Sequence, residues 1–308
     1  MYYEEGLSQD LIANAMGVSR SNVSRMLADA KAQGIVQIRI VEQTMRDTPL
    51  EDRLRSLLKV RTVRVSRSLS ATDELTAVGA LAAEALAKRL RSNSQVAVSW
   101  GSTLQAMVDA MNSEYLPGVS LYPMVGGMTP VSAGASGDAL IRNLATKLNA
   151  EHLTLLAPAV VSSAVTRNAI ISEPSIAEVL DHAAAADIGV VGIGSKRGSS
   201  TMELLKAAGL PDNSYDKVMA EMAGDVAARF YDIDGRPVGH GWDDRIIGLS
   251  LEQVRRIPHV IGVAAGASKA LGVIGAARGG YVSELVISSS CALAMLRYLD
   301  SELDEEAS

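Results

Sequence analysis

Residues 96–104 read VAVSWGSTL. An apolar run of strand length ends at Gly101, and two hydroxyl residues, Ser102 and Thr103, then open a segment of helical character. Similar apolar runs recur along the chain, and several of the stretches between them are rich in alanine and leucine at helical spacing. Buried strands that alternate with helices are typical of parallel βαβ units. The sequence therefore predicts an α/β body with a doubly wound parallel sheet.

The predicted elements of this body follow one another in alternation. The predicted strands are 60–65, 96–100, 119–125, 153–156, 188–193, 260–264 and 285–287, and the clearest predicted helices are 74–90, 175–185 and 290–298. In such a sheet, ligands bind beyond the carboxyl ends of the strands, where the amides at helix starts attract anions.

Three predicted strand ends are rich in glycine. Gly101 precedes Ser102 and Thr103, the segment MVGG contains Gly126 and Gly127, and VVGIGSKRG contains Gly192 and Gly194 before Lys196 and Arg197. A single glycine after a strand is more often a simple turn. Three such ends in one sheet favour a phosphate site.

Two charged residues are further candidates for this edge of the sheet. Lys269 follows a strand and a glycine in VIGVAAGASKA, although a solvated surface lysine is the commoner case. Asp225 opens an apolar run in AGDVAARF, where it could accept hydrogen bonds from sugar hydroxyls or merely cap a local turn.

The head of the chain, residues 7–40, reads LSQDLIANAMGVSRSNVSRMLADAKAQGIVQIRI. Ser8 is a good N-cap for a helix that runs to about residue 15, Gly17 supplies the left-handed residue that ends it, and Ser19 caps a second helix. The sequence predicts that Leu11, Ile12 and Ala15 share the buried face of the first helix, and that Val18, Val23 and Leu27 point into the core between the two helices.

The outer face of the second predicted helix suits DNA, because it combines charge for phosphates with amide and guanidinium groups for base edges. Its candidate DNA-binding residues are Ser19, Arg20, Ser21, Asn22, Ser24 and Arg25. The alternative is an ordinary pair of helices at the end of a globular domain. Gly34 and a short strand over 35–40 indicate a wing, so residues 1–45 are predicted to be a winged helix-turn-helix domain. Because only MYYEEG precedes the first helix, we expect that domain's usual leading helix to be truncated or encoded upstream.

Residues 46–59 form a predicted linker helix, and 60–308 the body. Leu50, Leu54, Leu57 and Leu58 recur at helical spacing in the linker. With little more than two turns of pattern, this stripe fits ordinary core packing and a dimer seam equally well.

Composition narrows the class of function. The chain has 308 residues, with 29 Lys and Arg against 35 Asp and Glu, so its net charge of −6 restricts any DNA contact to a local patch. Hydrophobic residues never run for the ~18 positions that a membrane span needs, and no basic-then-apolar leader is present, which indicates a cytoplasmic protein. Cys291 is the single cysteine and the four histidines lack ligand spacing, so we expect no metal and no thiol chemistry.

Several segments together resemble the SorC family of bacterial sugar-binding transcriptional regulators, of SorC/DeoR type. They read YYEEGLSQDLIANAMGVSRSNVSRML, VSWGSTL, DIGVVGIG, GDVAARFYDIDGRPV, DDRIIGLSLEQVRRIPHVIGVAAGASKA and ARGGYVSELVISSSCALAML. The resemblance covers nearly the whole chain. It implies a DNA-reading domain joined to an effector domain similar to the glucosamine-phosphate deaminase and ribose-phosphate isomerase fold.

The resemblance also implies roles for particular residues. It places the effector's phosphate on Ser102 and Thr103, with Gly127 as a second wall. The glycines of the strand-end pattern, Gly101 and Gly126, are predicted effector-binding residues beside them. Asp225 and Lys269 match the family's sugar-contacting acid and lysine, and Arg197 matches a phosphate-binding arginine in a loosely aligned loop. The family usually carries an aspartate in the segment that here reads VISSSCALA, so Ser288 and Ser289 are departures that bear on effector preference.

The expected function is that of a DNA-binding regulator, repressor or activator, of a sugar or polyol catabolic operon. Its expected partners are double-stranded operator DNA, a phosphorylated sugar or polyol, and copies of itself in a homo-oligomer, by resemblance a tetramer built as a dimer of dimers. We expect no cofactor and no catalytic residues. The alternative is a sugar-phosphate isomerase or deaminase that carries a DNA-binding head, although His152, His182, His240 and His259 form no recognisable catalytic constellation.

Overall fold

The computed structural model describes most of the chain and divides it into two compact units, Met1–Gln43 and Thr44–Ser308. The described residues are 1–2, 7–32, 46–67, 73–113, 116–128, 137–196, 198, 201–202, 204–205, 212–239 and 241–306.

The first unit contains two helices joined by a tight turn, α1 (Gln9–Met16) and α2 (Arg20–Ala32). The Ser8 hydroxyl accepts a hydrogen bond from the Leu11 amide at 3.3 Å, and Gly17 ends α1 in the left-handed region at φ 66°. The Ser19 hydroxyl accepts from the Asn22 amide at 3.2 Å. Each of the two serine caps satisfies a backbone donor that the helix start leaves free, as the sequence predicts.

A small apolar core joins the two helices. It consists of Ile12, Ala13 and Val23, with Leu7, Val18 and Leu27 packed alongside. The prediction that Leu11 and Ala15 share this buried face is wrong. Both are exposed, Leu11 by 56%. The eight-residue α1 has little more than two turns, so the buried side is a narrow stripe around Ile12 and Ala13. The predicted wing over 35–40 and most of MYYEEG lie outside the described residues.

The second unit alternates strands and helices along the chain. Its described helices are α3 (Thr48–Leu58), α4 (Glu74–Arg89), α5 (Ser102–Ala110), α6 (Gly137–Leu148), α7 (Ala164–Ile171), α8 (Pro174–Ala184), α9 (Asp212–Glu221), α10 (Leu251–Arg256), α11 (Ala270–Arg278) and α12 (Ser289–Glu306), with short 3₁₀ turns at Asp243–Arg245 and Ala267–Lys269. Its described strands are β1 (Thr62–Ser66), β2 (Gln95–Val98), β3 (Ser120–Pro123), β4 (Glu151–His152), β5 (Ile188–Gly192), β6 (Gly224–Val226), β7 (Arg229–Tyr231), β8 (His259–Ala264) and β9 (Glu284–Ser288).

Seven of the described strands form one sheet in the order β1-β9-β8-β5-β2-β3-β4, and every pairing in it is parallel. The predicted α/β class with a parallel sheet is confirmed. Strands β6 and β7 form a separate antiparallel pair, which the sequence did not predict.

Both faces of the sheet are buried, because successive residues of one strand enter different cores. Val96 and Val98 pack with α4, α5 and α6, whereas Ala97 between them belongs to the core formed by α3, α8, α10, α11 and α12. Val190 and Val191 of β5 divide in the same way. Continuous apolar runs are the pattern that such doubly covered strands require.

One predicted strand is wrong. The sequence predicts a strand over 153–156, but the strand at this position is the two-residue β4, which pairs with β3 at the sheet edge. The Leu153 amide makes one more ladder bond, to the Leu121 carbonyl at 3.1 Å, and the chain then leaves the sheet. Leu155 packs with Ile176 and Val179 instead. Of the apolar residues in this run, Leu155 therefore packs against α8, while Leu153 and Leu156 are exposed.

The leucine stripe of the linker packs into the body's own core. Leu54 of α3 is completely buried there and Leu58 nearly so, while Leu50 and Leu57 are half-buried against the same cluster. Of the two alternatives that the pattern left open, ordinary core packing accounts for all four leucines.

Candidate functional site

The strand order reverses between β2 and β5. From β2 the chain continues to β3 and β4 on one side of the sheet, and from β5 it continues to β8 and β9 on the other. These two strands are neighbours, with Val98 opposite Val190. Connections that diverge from adjacent parallel strands leave a crevice at the carboxyl edge, which is where open α/β sheets bind ligands.

Helix α5 opens directly at this crevice. Gly101 is its N-cap at φ 140° and ψ 164°, a conformation that is essentially confined to glycine, and no side chain caps the helix. The first ladder bond of the helix runs from the Gln105 amide to the Gly101 carbonyl at 2.9 Å. The preceding amides, those of Ser102, Thr103 and Leu104, are the donors that a helix start leaves free, and they favour an anion.

The two hydroxyl residues at this helix start differ in what they can offer. Ser102 is exposed, whereas Thr103 is buried and its hydroxyl donates a long hydrogen bond to the Val263 carbonyl of β8 at 3.5 Å. A Cβ added to Gly192 would lie 3.3 Å from the Thr103 Oγ1, so the end of β5 passes close to α5. Ser102 can reach a ligand with its side chain, while Thr103 can offer its backbone amide.

Gly126 and the predicted second wall, Gly127, both use their amides within the protein. The Gly126 amide donates to the Ile247 carbonyl and the Gly127 amide to the Ala157 carbonyl, both at 2.9 Å. A Cβ on Gly126 would lie only 2.5 Å from the Pro158 carbonyl oxygen. Gly126 therefore allows close packing of two backbone segments.

Asp225 of β6 is buried beside the loop that follows β5. Its carboxylate accepts a hydrogen bond from the Thr201 hydroxyl at 2.6 Å, and its carbonyl accepts from the Gly194 amide at 2.8 Å. A Cβ on Gly194 would lie 1.7 Å from the Asp225 Oδ1, so only glycine fits there without displacing the carboxylate. Burial raises the pKa of Asp225, against the lowering effects of the Thr201 hydrogen bond and the positive charge of Lys269.

Lys269 ends the 3₁₀ turn after β8 and is half-buried rather than fully solvated. Burial lowers the pKa of its ammonium group, and the negative charge of Asp225 opposes that shift. A Cβ on Gly198 would lie 3.0 Å from the Lys269 Nζ, which places the ammonium group beside the loop that follows β5. Among the described residues, Lys269 makes no ion pair within 4.0 Å, although the negative charge of Asp225 acts on it.

The structure brings together Gly101, Ser102 and Thr103 with the loop after β5, and that loop with Asp225 and Lys269. Arg197 lies outside the described residues. Sequence reasoning missed Thr201 as the partner of Asp225, and it missed Ser195, whose buried hydroxyl has no hydrogen-bond partner within the described part of the chain. No local pattern connects residues 201 and 225, which lie on different segments.

An Asp225→Asn substitution is expected to stabilise the ligand-free protein at pH 7. The pKa of Asp225 is higher in the folded than in the unfolded chain, so the carboxylate costs folding free energy increasingly as the pH rises from the unfolded pKa through the folded one. The difference between variant and wild type should therefore shrink as the pH falls towards 4, which urea unfolding at several pH values measures. Asp52→Asn, at an exposed carboxylate, is the control. If the wild type is as stable as Asp225→Asn at pH 7, the raised pKa of Asp225 in the folded chain is contradicted.

The three described histidines lie apart from this crevice and from one another. His182 stacks on Tyr122 with 5.1 Å between ring centroids, and His152 is exposed in β4. His259 begins β8, so it lies at the amino-terminal end of that strand, whereas the crevice lies at the carboxyl ends. His240 lies outside the described residues. Nor do the described residues contain a cluster of three His, Cys, Asp or Glu side chains that could hold a metal ion. Within the same residues, no helix is both long enough and apolar enough to cross a membrane.

A second candidate surface is the outer face of α2 in the first unit. Its six candidate DNA-binding residues, Ser19, Arg20, Ser21, Asn22, Ser24 and Arg25, are all exposed. The Ser19 hydroxyl is engaged as the cap of the helix, and Arg20 faces Asp10 at 3.6 Å. Arg25 makes no ion pair with any described residue.

Residues 42–297 match the model of the family described as "Putative sugar-binding domain". The chain belongs to this family. The sorbitol operon regulator of Klebsiella pneumoniae is 27% identical over 303 residues, which are 96% of this chain and 95% of that protein. The deoxyribonucleoside regulator of Bacillus subtilis is 27% identical over 308 residues, which are 97% of this chain and 96% of that one.

Solved structures of this sugar-binding family agree with the match. Full-length SorC, the sorbitol operon regulator from Klebsiella pneumoniae, has a TM-score of 0.74 at 26% identity and covers 96% of both chains. The sugar-binding domain of a transcriptional repressor from Vibrio fischeri has a TM-score of 0.75 at 27% identity, over 82% of this chain and all of that one. The resemblance to SorC regulators is confirmed.

Proposed function

We propose that this member of the sugar-binding family is a DNA-binding transcriptional regulator of a sugar or polyol catabolic operon, and that a phosphorylated sugar or polyol at the crevice between β2 and β5 controls its operator affinity. The observation that carries the proposal is the start of α5 at the switch point, which no side chain caps and which lies next to the end of β5; the loop that follows β5 lies beside Asp225 and Lys269. Relatives that align over nearly their whole length are named as operon or transcriptional regulators.

The proposed site divides into two chemical halves. The first-turn amides of α5, with the Ser102 hydroxyl, suit the oxygens of a phosphate. Asp225 and Lys269 suit the hydroxyls of a polyol, because a carboxylate accepts hydrogen bonds and an ammonium group donates them. A small molecule with a phosphate at one end and several hydroxyls along its chain satisfies both halves.

The proposed DNA contact is the exposed face of α2 in a winged helix-turn-helix domain. Each head offers few arginines, so high operator affinity requires several heads on one protein. The SorC resemblance implies a tetramer, and we include this in the proposal since linked heads raise the effective concentration at neighbouring half-sites. Control by the effector then requires that it bind the DNA-competent and DNA-incompetent arrangements with different affinity.

We propose that the chain is not an enzyme. An isomerase or deaminase of sugar phosphates needs a base held beside the sugar. The candidate bases among the site residues discussed above are Asp225, whose carboxylate is engaged by the Thr201 hydroxyl, and Lys269, whose ammonium group is the charge proposed to bind the ligand. Turnover of a pentose phosphate or an amino-sugar phosphate by the purified chain would revive the enzymatic alternative.

The test is a panel of pentose, hexose and hexitol phosphates, each beside its unphosphorylated counterpart. A ligand that binds only the folded chain should stabilise it by about 2.7 kcal/mol at 100 times its dissociation constant, which a thermal shift detects. The panel member with the largest shift is then titrated against an operator selected from random duplex DNA. We expect operator affinity to change about 5- to 150-fold. Stabilisation by the unphosphorylated sugars alone, or operator binding that no panel member alters, would contradict the proposal.

A further inference from the structure

The segment that enters the second unit is tied to the carboxyl end of β1. We call residues 46–51 the connector. Arg46 forms an antiparallel bridge with Ser66, the Asp47 amide donates to the Val65 carbonyl at 3.0 Å, and the Val65 amide donates to the Glu51 carboxylate at 2.9 Å. Because β1 is an edge strand, the connector occupies backbone groups that no other strand uses.

A partly buried ion pair fixes the connector in this position. The Arg46 guanidinium donates two hydrogen bonds to the Glu51 carboxylate, at 2.8 and 2.5 Å. The Glu51 side chain is only 5% exposed, and that of Arg46 is 39% exposed. Bidentate, charge-assisted pairs of this kind are among the stronger hydrogen bonds in proteins and hold a fixed geometry.

Two serines link the connector's anchor to the loop that bears Lys269. The Gly266 amide, in that loop, donates to the Ser288 hydroxyl at 2.9 Å. The next residue, Ser289, donates its hydroxyl to the Ser66 carbonyl at 2.8 Å. Since β8, β9 and β1 are consecutive in the sheet, these bonds cross two strands from the proposed effector site to the connector.

The end of β1 also has an unused hydrogen-bonding group. The Ser66 hydroxyl is buried and has no hydrogen-bond partner within the described part of the chain. A buried polar group without a partner costs free energy, so a second arrangement that satisfies it is favoured by the same physics. A switching element needs two such arrangements of one hydrogen-bond set.

We propose that Ser288 and Ser289 are positioning residues that couple the Lys269 loop to the connector. A ligand that moves Lys269 shifts Gly266, and the serine hydroxyls transmit that shift to Ser66 and hence to Arg46 and Glu51. This inference rests on the proposed function for its purpose, because it supplies the route by which occupancy of the effector site reaches the segment that leads from the first unit.

The alternative is that the two serines only stabilise the local structure. The Ser288 hydroxyl also accepts a hydrogen bond from the Cys291 amide at the start of α12, at 3.3 Å. The two explanations differ in whether the effects of two substitutions on exchange at Gly266 add independently. Substitutions without shared partners act independently, whereas members of one hydrogen-bond network show coupling.

The experiment is a double-mutant cycle read by amide hydrogen exchange on the full chain, without ligand or DNA. Arg46→Ala and Glu51→Ala release the connector, the second by removing the acceptor of the Val65 amide. We expect exchange at Gly266 to accelerate about fivefold in either variant. In the Ser289→Ala background the same substitutions should change the exchange rate at Gly266 by less than about twofold. Arg53→Ala, which breaks an exposed ion pair between α3 and Asp300 of α12, should leave exchange at Gly266 unchanged.

The outcomes separate this inference from the proposed function. Faster exchange at Val65 without any change at Gly266 in Glu51→Ala would overturn the coupling, as would an undiminished effect in the Ser289→Ala background. Neither result depends on a sugar phosphate. The double-mutant cycle therefore tests the coupling even if no sugar phosphate of the panel binds the chain. Where the panel yields an effector, Ser289→Ala should bind it with unchanged affinity but transmit a smaller change in operator affinity. A full response in that variant would also overturn the coupling.

Discussion

A Lys269→Met variant is expected to bind the phosphorylated effector about 10- to 100-fold more weakly than the wild-type chain. Lys269 is half-buried, makes no ion pair with any described residue, and lies beside the loop after β5 that also contacts Asp225. Its ammonium group would donate charge-assisted hydrogen bonds to the ligand, which are worth roughly 1.5–3 kcal/mol each. Methionine keeps most of the length and removes the charge. Isothermal titration with the panel member that gives the largest thermal shift measures the loss.

Loss of folding does not account for this expected effect. Burial lowers the pKa of Lys269, so the charged ammonium group costs folding free energy at pH 7, and methionine is expected to leave the ligand-free chain at least as stable. Lys88→Met is the matched control, since Lys88 pairs with Glu84 on the exposed face of α4. Unaltered effector affinity in Lys269→Met, or an equal loss in Lys88→Met, would remove Lys269 from the site.

The class of fold could be predicted from the sequence because burial on both faces dictates local composition. The run VAV in β2 is apolar at consecutive positions since Val96 and Ala97 enter different cores. The same reasoning failed over 153–156, which lies beyond a two-residue edge strand: Leu155 packs against α8, and Leu153 and Leu156 are exposed. It also failed for the short β6–β7 pair, because three-residue strands carry too little pattern to separate from a turn.

Only those features of the site that are contiguous in sequence could be predicted. A glycine followed by hydroxyl residues after a strand identifies the helix start at Gly101, since that signal is contiguous in sequence. That β2 lies beside β5 and β5 beside β8 is a long-range property of the sheet, so the placement of the α5 start beside the end of β5, and of Asp225 and Lys269 beside the loop after β5, required the structure. The same holds for Thr201, which meets Asp225 across 24 positions.

Glycine itself is ambiguous in sequence. Gly101 takes a backbone conformation that other residues rarely adopt, Gly126 allows two backbone segments to pack closely, and Gly194 leaves room for the Asp225 carboxylate. Of these three, Gly101 is the N-cap of a described helix, so the amides that follow it have no partner within the helix. The sequence pattern is the same in each case because what decides the role is the neighbouring segment, which lies elsewhere in the chain.

An Arg25→Ala variant is expected to lose operator affinity by roughly 1–3 kcal/mol for each head that engages DNA through a base contact. Arg25 is exposed on α2, on the turn after the polar start of the helix, and pairs with no described acid. Arg20 is a less direct choice, because its ion pair with Asp10 at 3.6 Å would also be broken. Two heads on a symmetric operator would double the loss to about 2–6 kcal/mol. Fluorescence anisotropy with the selected operator measures it.

Salt dependence decides what Arg25 contacts. If it reads a guanine, the loss should concentrate on the operator, vary with the base at one position of each half-site, and leave non-specific affinity nearly unchanged. If it contacts a phosphate, binding should weaken almost equally for all sequences, and the slope of log affinity against log salt should fall by about 1 per head. Arg256→Ala, at an arginine paired with Glu252 on the surface of the second unit, is the control for net charge. If both variants behave alike, the exposed face of α2 is not the surface that binds DNA.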